Sequence, residues 1–239
     1  MIFTAIFEKF GVLGYEHIRE YHNERSATYQ ARERLVYGPG EDAGESAQRK
    51  CGGSMGGFYA LLIVNLMNQE NIGLLKNYDA KNVRFFGTSS GGGQALSLCM
   101  YIRHENLPVS LPGKLVLQSP GLQVPPSESQ KTEMEKRKKA DVMIPPGFFD
   151  NIAPVLVTGD EAYLLSPILF DLTGFPPMDI FYGTEEVMIA YLPDMQAACK
   201  KYGVQLNTHI GKGMMHCWGA VEFVPEAKAV RQEYFKALK

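Results

Sequence analysis

Helical and β-prone segments alternate along the chain from about residue 58 to its end. This order builds a mainly parallel sheet with helices on both faces, because two parallel strands need a crossover connection that is usually a helix. The expected helices lie at 58–70, 94–105, 192–202 and 226–238, and the expected strands at 82–87, 114–119, 178–183 and 205–210. The alternation therefore predicts an α/β fold.

Residues 123–175 interrupt the alternation. Two proline pairs, at 125–126 and 145–146, and a charged run at 133–139 predict short helices and loops over the sheet. We interpret the charged run, with Asp141 just after it, as a solvated helix face, because acidic and basic residues are interleaved there. The expected organisation is a core at 58–239 with a cap-like helical insertion at about 123–175.

The first 57 residues form a divergent N-terminal segment in this interpretation. Residues 1–7 and 34–37 are apolar enough for strands, and the polar stretch 17–34 has the composition of a helix.

The composition excludes several classes of protein. A formal charge of −2 gives no electrostatic footprint for nucleic acid or an anionic membrane. The longest apolar run, at 58–67, is too short to span a bilayer, and the N-terminus lacks the basic region of a secretory signal. Four widely spaced cysteines form no CxxC motif, and no side-chain cluster has metal-ligand spacing. We expect a cytoplasmic protein that binds small molecules, without a cofactor or metal.

Residues 87–91 read Gly-Thr-Ser-Ser-Gly and match the GxSxG pattern between a predicted strand and a predicted helix. In that context Ser89 is a candidate nucleophile at the carboxyl end of the sheet, and the Ser90 N–H can bind a developing oxyanion. A plain connecting turn and a phosphate-binding loop are the alternatives. The GxxxxGK and GxGxxG patterns of nucleotide-binding loops are both absent here.

A serine nucleophile needs a base and an orienting carboxylate, which in this kind of fold follow in the order acid, then histidine. His216 lies in the loop after the strand at 205–210, whereas His209 is interpreted as a side chain of that strand. Glu185 and Glu186 directly follow the strand at 178–183, and the pattern does not separate them. Solvated acids at the start of a helix are an equally good interpretation of both.

Taken in order, these segments resemble the hormone-sensitive-lipase-like branch of the α/β-hydrolase superfamily, the alpha/beta hydrolase fold-3 esterases. The resemblance covers 78–239. It rests on segments 82–96, 115–122, 163–167, 171–177, 181–188 and 213–218. It implies that Ser89 is the nucleophile, His216 the general base and Glu186 the acid, at a position where the family usually has aspartate. Asp194 matches a second acidic position, which we interpret as structural.

The family's His-Gly-Gly motif, whose backbone N–H groups complete the oxyanion hole, has no counterpart in this sequence. Glycine pairs at 52–53 and 56–57 lie directly before the predicted helix at 58–70, whereas the oxyanion loop belongs one strand and one helix earlier. The 88 residues before Ser89 are few for the family's N-terminal strands. If those strands are absent, an exposed sheet edge predicts a self-associating homo-oligomer.

The resemblance implies a carboxylic-ester hydrolase that acts on small or medium acyl esters through a Ser-His-Glu triad and an acyl-enzyme. The insertion would cover the acyl pocket with Met143, Ile144, Phe148 and Phe149. Without the second oxyanion donor, activity would be weak. The alternative is a catalytically impaired or non-catalytic small-molecule-binding protein on a hydrolase scaffold.

Overall fold

Six strands form one sheet in the computed structural model, which describes residues 79–104, 106, 110–145, 147–156 and 162–239, and the backbone of 4–8 and 11–13. The sheet order is β2-β1-β3-β4-β5-β6. Strands β3 to β6 are parallel, and β1 is antiparallel to both of its neighbours. The strands are β1 (Thr4–Glu8), β2 (Gly11–Leu13), β3 (Arg84–Thr88), β4 (Lys114–Gln118), β5 (Met178–Gly183) and β6 (Leu206–Gly211).

Helices connect the parallel strands β3 to β6 as the alternation predicts, so the expected α/β fold is confirmed. They are α1 (Ser90–His104), α2 (Glu128–Arg137), α3 (Phe148–Leu156), α4 (Ala162–Leu165), α5 (Leu192–Tyr202) and α6 (Pro225–Ala237). Short 3-10 helices lie at Ala80–Asn82, Pro167–Leu169, Val187–Tyr191 and Trp218–Ala220. Gly203 ends α5 with a φ of +68°, as expected of a helix-terminating glycine.

The central strands are buried on both faces of the sheet. Along β4, Leu115 and Leu117 pack in a core that includes residues of α1 and α5, whereas Val116 packs with residues of α6. Strand β5 repeats this alternation, with Ile180 in the first core and Phe181 in the second. This two-sided burial explains why consecutive apolar residues occupy 115–117 in β4 and 180–182 in β5.

Helix α1 begins at Ser90, four residues before the predicted start at 94. The glycines after Ser89 belong to the helix rather than to the turn. A Cβ on Gly93 would lie 2.2 Å from the Gly121 carbonyl oxygen, and one on Gly92 would lie 2.8 Å from Pro120 Cβ. Glycine is therefore needed so that the first turn of α1 can approach the segment after β4.

Residues 123–175, called the cap below, contain α2, α3, α4 and one 3-10 helix. Ser127 and Gln130 form a capping box at the start of α2. The interpretation of Asp141 as part of a solvated face is wrong. Asp141 is 6 % exposed, and its carboxylate accepts backbone N–H groups of Met143, Ile144 and Val187. A buried carboxylate needs hydrogen-bond donors. For Asp141 these donors are backbone N–H groups that lie beyond the end of α2.

The N-terminal expectations are only partly within the described residues. The strand expected at 1–7 corresponds to β1, whereas the features expected at 17–34, 34–37, 51–57 and 58–70 lie outside them. Strand β1 pairs along β3, so the sheet edge at β3 is occupied. Self-association through an exposed sheet edge stays a prediction, and the outer strands of the described sheet are β2 and β6.

A charged cluster links β4, β5 and β6. Lys114 Nζ lies 2.6 Å from Asp179 Oδ2, and His209 Nε2 donates to Asp179 Oδ1 at 2.8 Å. As expected, His209 is a strand side chain, and its ring stacks on Phe181. Burial works to raise the pKa of Asp179, but Lys114 and His209 outweigh it and hold the pKa of this carboxyl below its ordinary value. The ionised carboxylate therefore stabilises the folded state.

We expect Asp179→Asn to lower the free energy of unfolding at neutral pH by about 2–3 kcal/mol, because hydrogen bonds to a charged group are lost. A carboxyl whose pKa is lower in the folded state stabilises the protein above the unfolded pKa and loses this effect as the pH falls through the folded pKa. The variant should therefore lose less stability than the wild type as the pH falls below about 4. Urea unfolding at several pH values measures both effects.

Glu233→Gln is the matched control, because Glu233 pairs with Lys236 at 2.7 Å on the exposed side of α6. Exposed pairs contribute at most about 1 kcal/mol. Equal destabilisation by the two substitutions would contradict the role given to Asp179.

Candidate active site

Ser89 lies in the tight turn between β3 and α1, with a φ of +54°. Its backbone N–H donates to the Gln118 carbonyl at 2.8 Å, which fixes the turn against the end of β4. A Cβ on Gly87 would lie 2.3 Å from the Gly91 carbonyl oxygen, so glycine is needed where the strand meets the helix. The strained strand-turn-helix conformation expected of GxSxG is therefore present, and it holds Ser89 at the carboxyl end of the sheet.

His216 lies in the loop after β6 and is 3 % exposed. Its Nε2 lies 2.9 Å from Ser89 Oγ, and its Nδ1 lies 2.8 Å from Glu186 Oε2. An ionised carboxylate only accepts hydrogen bonds, so Nδ1 carries a proton. When the imidazole is neutral, Nε2 therefore accepts the hydrogen bond of the Ser89 hydroxyl. The structure thus joins the three predicted side chains in one hydrogen-bonded chain.

Glu186, rather than Glu185, contacts the histidine. The Glu186 side chain is fully buried, and its Oε1 accepts the Gly183 N–H at 2.5 Å and the Ser119 hydroxyl at 2.9 Å. The neighbouring Glu185 carboxylate accepts the Thr184 hydroxyl at 3.0 Å instead. The turn after β5 therefore separates two adjacent acids that the sequence pattern left equivalent.

Burial acts on both members of the Glu186–His216 pair. It raises the pKa of the Glu186 carboxyl above its ordinary value, although hydrogen bonds from His216, Gly183 and Ser119 work in the opposite direction. Burial works to lower the pKa of His216, but contacts with Cys217 and Glu186 outweigh it, so the pKa of this imidazole is raised. The adjacent carboxylate stabilises the imidazolium, as a proton-accepting histidine requires.

Ser90 is the first residue of α1. The first N–H groups of a helix have no partner within it, and they carry the positive end of the helix dipole. The Ser90 N–H therefore lies where the sequence analysis expects an oxyanion donor. The glycine pairs at 52–53 and 56–57 lie outside the described residues.

The cap insertion holds the turn that carries Glu186 from both sides. Arg137 Nε donates to the Thr184 carbonyl at 3.1 Å, and Asp141 Oδ2 accepts the Val187 N–H at 2.9 Å. Asp194 of α5 accepts a hydrogen bond from Gln130 of α2, which also joins the cap to the core. No sequence pattern assigns this role to Arg137 or Asp141, because contacts with backbone groups leave no pattern in the residues that make them.

A small cavity of about 60 Å³ lies between α2, α3 and Val187. Of the four residues expected to cover an acyl pocket, Ile144, Phe148 and Phe149 line it. Met143 does not line this cavity, and its side chain is 52 % exposed. Ser89, His216 and Glu186 are not among the lining residues, so this cavity belongs to the cap rather than to the hydrogen-bonded chain.

Within the part of the chain that the structure describes, no group of three or more His, Cys, Asp or Glu side chains is placed to hold a metal ion. No helix in the same ranges has the length and apolar character needed to cross a membrane.

Solved esterase structures share this arrangement of strands and helices. EstE5 is 26% identical with a TM-score of 0.61, over 69% of this chain and 55% of its own. An esterase/lipase from an uncultured bacterium is 27% identical with a TM-score of 0.60, over 69% and 55%. EstE7, a hormone-sensitive-lipase homologue from a metagenome library, is 25% identical with a TM-score of 0.60, over 70% and 58%. The chain thus spans little more than half the length of these proteins.

No curated protein matches the chain. A family model described as "alpha/beta hydrolase fold" matches residues 56–220, which is well over half of the sequence. Since the solved structures that resemble the chain include homologues of hormone-sensitive lipase, the chain belongs to the alpha/beta-hydrolase family, in its hormone-sensitive-lipase-like branch.

Proposed function

We propose that this protein hydrolyses carboxylic esters, with Ser89 as the nucleophile of an acyl-enzyme mechanism. The observation that carries the proposal is the unbroken hydrogen-bonded chain from Ser89 Oγ through His216 to the buried Glu186 carboxylate. A serine hydroxyl is a weak nucleophile unless a base removes its proton during attack. His216 is within reach to do so, and Glu186 is placed to hold the imidazole in the required tautomer.

In the proposed reaction, Ser89 Oγ attacks the ester carbonyl carbon while His216 Nε2 accepts the hydroxyl proton. The Ser90 N–H donates to the carbonyl oxygen as it becomes negative. His216 then gives the proton to the departing alkoxide, which leaves as an alcohol. Water attacks the acyl-enzyme with His216 as the base, and the carboxylic acid and free Ser89 are regenerated. Glu186 stabilises the imidazolium in both halves of the reaction.

Small or medium acyl esters are the proposed substrates. EstE5 crystals were soaked with p-nitrophenyl butyrate. A p-nitrophenyl ester of a short acyl group is therefore a suitable probe for this chain.

A non-catalytic binding protein on the same scaffold is the competing function. The missing His-Gly-Gly motif favours it, because loss of one oxyanion donor costs about 10²- to 10³-fold in rate. The two functions differ in whether Ser89 reacts covalently.

A fluorophosphonate probe should label the wild-type protein, because it phosphonylates only a serine whose hydroxyl is activated by a base. Labelling should vanish in Ser89→Ala and persist in Ser90→Ala, which keeps the backbone N–H proposed as the oxyanion donor. In-gel fluorescence and circular dichroism measure labelling and folding on the same samples. Folded wild-type protein that takes up no probe would favour the binding protein.

Glu186→Gln should lower kcat for p-nitrophenyl acetate by about 10³- to 10⁴-fold, as loss of the orienting acid does in serine hydrolases. Glu185→Gln is the matched control and should leave kcat within about twofold, because the Glu185 carboxylate accepts a hydrogen bond from Thr184 rather than from His216. Similar losses in both variants would contradict the assignment of the acid.

The pH dependence of kcat/KM should follow the deprotonation of His216, because only the neutral imidazole can act as the base. With its pKa raised, activity should increase with pH through and above neutrality. In Glu186→Gln the imidazolium loses its carboxylate partner, so the pKa of His216 falls. The residual activity should then reach its plateau at lower pH, and an unchanged profile would argue against a Glu186–His216 pair.

A further inference from the structure

Ser119 lies between the proposed acid and the loop of the proposed base. It directly follows β4 and is fully buried. Its hydroxyl donates to Glu186 Oε1 at 2.9 Å and accepts the Cys217 backbone N–H at 3.0 Å. We propose that Ser119 is a positioning residue whose hydroxyl holds the Glu186 carboxylate in place for His216. This inference rests on the proposed function and adds a residue to its machinery.

The donors and acceptors around Ser119 determine the direction in which its hydroxyl points. A serine has one proton to donate and two lone pairs to accept with. The Cys217 N–H occupies a lone pair, and the carboxylate of Glu186 can only accept, so the proton lies between Ser119 and Glu186. Together with Gly183 N–H and His216 Nδ1, this bond gives the carboxylate three donors and fixes its plane.

The backbone conformation at Ser119 indicates that its side chain has a functional role. Ser119 has a φ of +48°, a conformation that glycine adopts at little cost and other residues only with strain. Its N–H is fixed by a 2.7 Å bond to the Phe181 carbonyl, so the conformation is imposed by the sheet. Strain of this kind is retained where the side chain has a task, and here the visible task is the contact with Glu186.

Other titratable groups also face the pair. Tyr182 of β5 and Tyr234 of α6 interact electrostatically with Glu186, and Cys217 interacts with His216. Burial raises the pKa of both tyrosines, so they remain neutral over the range in which His216 titrates. A Cys217→Ala control separates the effect of the thiol from that of Ser119.

Ser119→Ala should lower kcat by about tenfold and leave KM nearly unchanged, since the lost hydrogen bond is to a charged group that does not contact substrate. The donor stabilises the Glu186 carboxylate more when His216 is neutral than when it is an imidazolium. Removing the donor should therefore raise the pKa of His216 and move the rise of kcat/KM to higher pH. This direction is opposite to that expected for Glu186→Gln, and a merely structural role would produce no such shift.

Two further variants separate the effect of the Ser119 hydroxyl from the effects of backbone strain and of altered folding. Ser119→Gly also lacks the hydroxyl but relieves the positive φ, so it should match Ser119→Ala in kcat and in the pH shift. Ser166→Ala removes another buried hydroxyl, one that donates to the Val124 carbonyl and accepts its N–H at 3.1 Å, and should leave both quantities unchanged. Full activity in Ser119→Gly would assign the effect to backbone strain and overturn the inference.

An NMR titration of His216 separates failure of this inference from failure of the proposed function. If wild-type protein neither binds the fluorophosphonate nor hydrolyses ester, the proposed function fails, but the titration still tests the contact. A higher His216 pKa in Ser119→Ala and Ser119→Gly supports the inference that Ser119 positions the Glu186 carboxylate for His216. An unchanged pKa in both variants overturns the inference, whatever the activity.

Discussion

The rest of the site depends on the hydrogen bonds that the buried carboxylate of Glu186 accepts. A fully buried charge is costly unless donors surround it, and here the donors come from the ends of three parallel strands. Ser119 follows β4, Gly183 ends β5, and His216 follows β6. Satisfying this one carboxylate therefore brings three separate loops together at one edge of the sheet, directly beside Ser89.

Close backbone contacts make this convergence possible. Glycine at 87 lets β3 meet α1, and a Cβ on Gly183 would lie 2.0 Å from the Met214 carbonyl oxygen in the loop that carries His216. The charged cluster around Asp179 joins the same three strands. The cap adds its own contacts, since Arg137 and Asp141 bind the backbone on either side of Glu186. Sheet, loops and cap thus fix the carboxylate from different directions.

The sequence predicts those features of the fold and the site that depend on residues close together in the chain. Strand alternation, the strand-turn-helix at Ser89 and the position of His216 after a strand all follow from residues close in the chain. The choice between Glu185 and Glu186 does not, because it depends on how a turn aims two adjacent side chains toward a distant loop. The burial of Asp141 is not visible in the sequence for a related reason: its three donors are backbone groups, one of them from Val187. Ser119 carries no signal beyond its place in the matched segment 115–122, since its partners are remote in sequence.

We propose that Ser89 becomes acylated because His216 and Glu186 activate it. Intact-protein and peptide mass spectrometry of samples quenched with acid during turnover of p-nitrophenyl butyrate tests it most directly. The account predicts one added butyryl group, located on the peptide that contains Ser89, which is absent from His216→Ala treated in the same way. A butyryl group on another residue, equal acylation of His216→Ala, or turnover that persists in Ser89→Ala would contradict it.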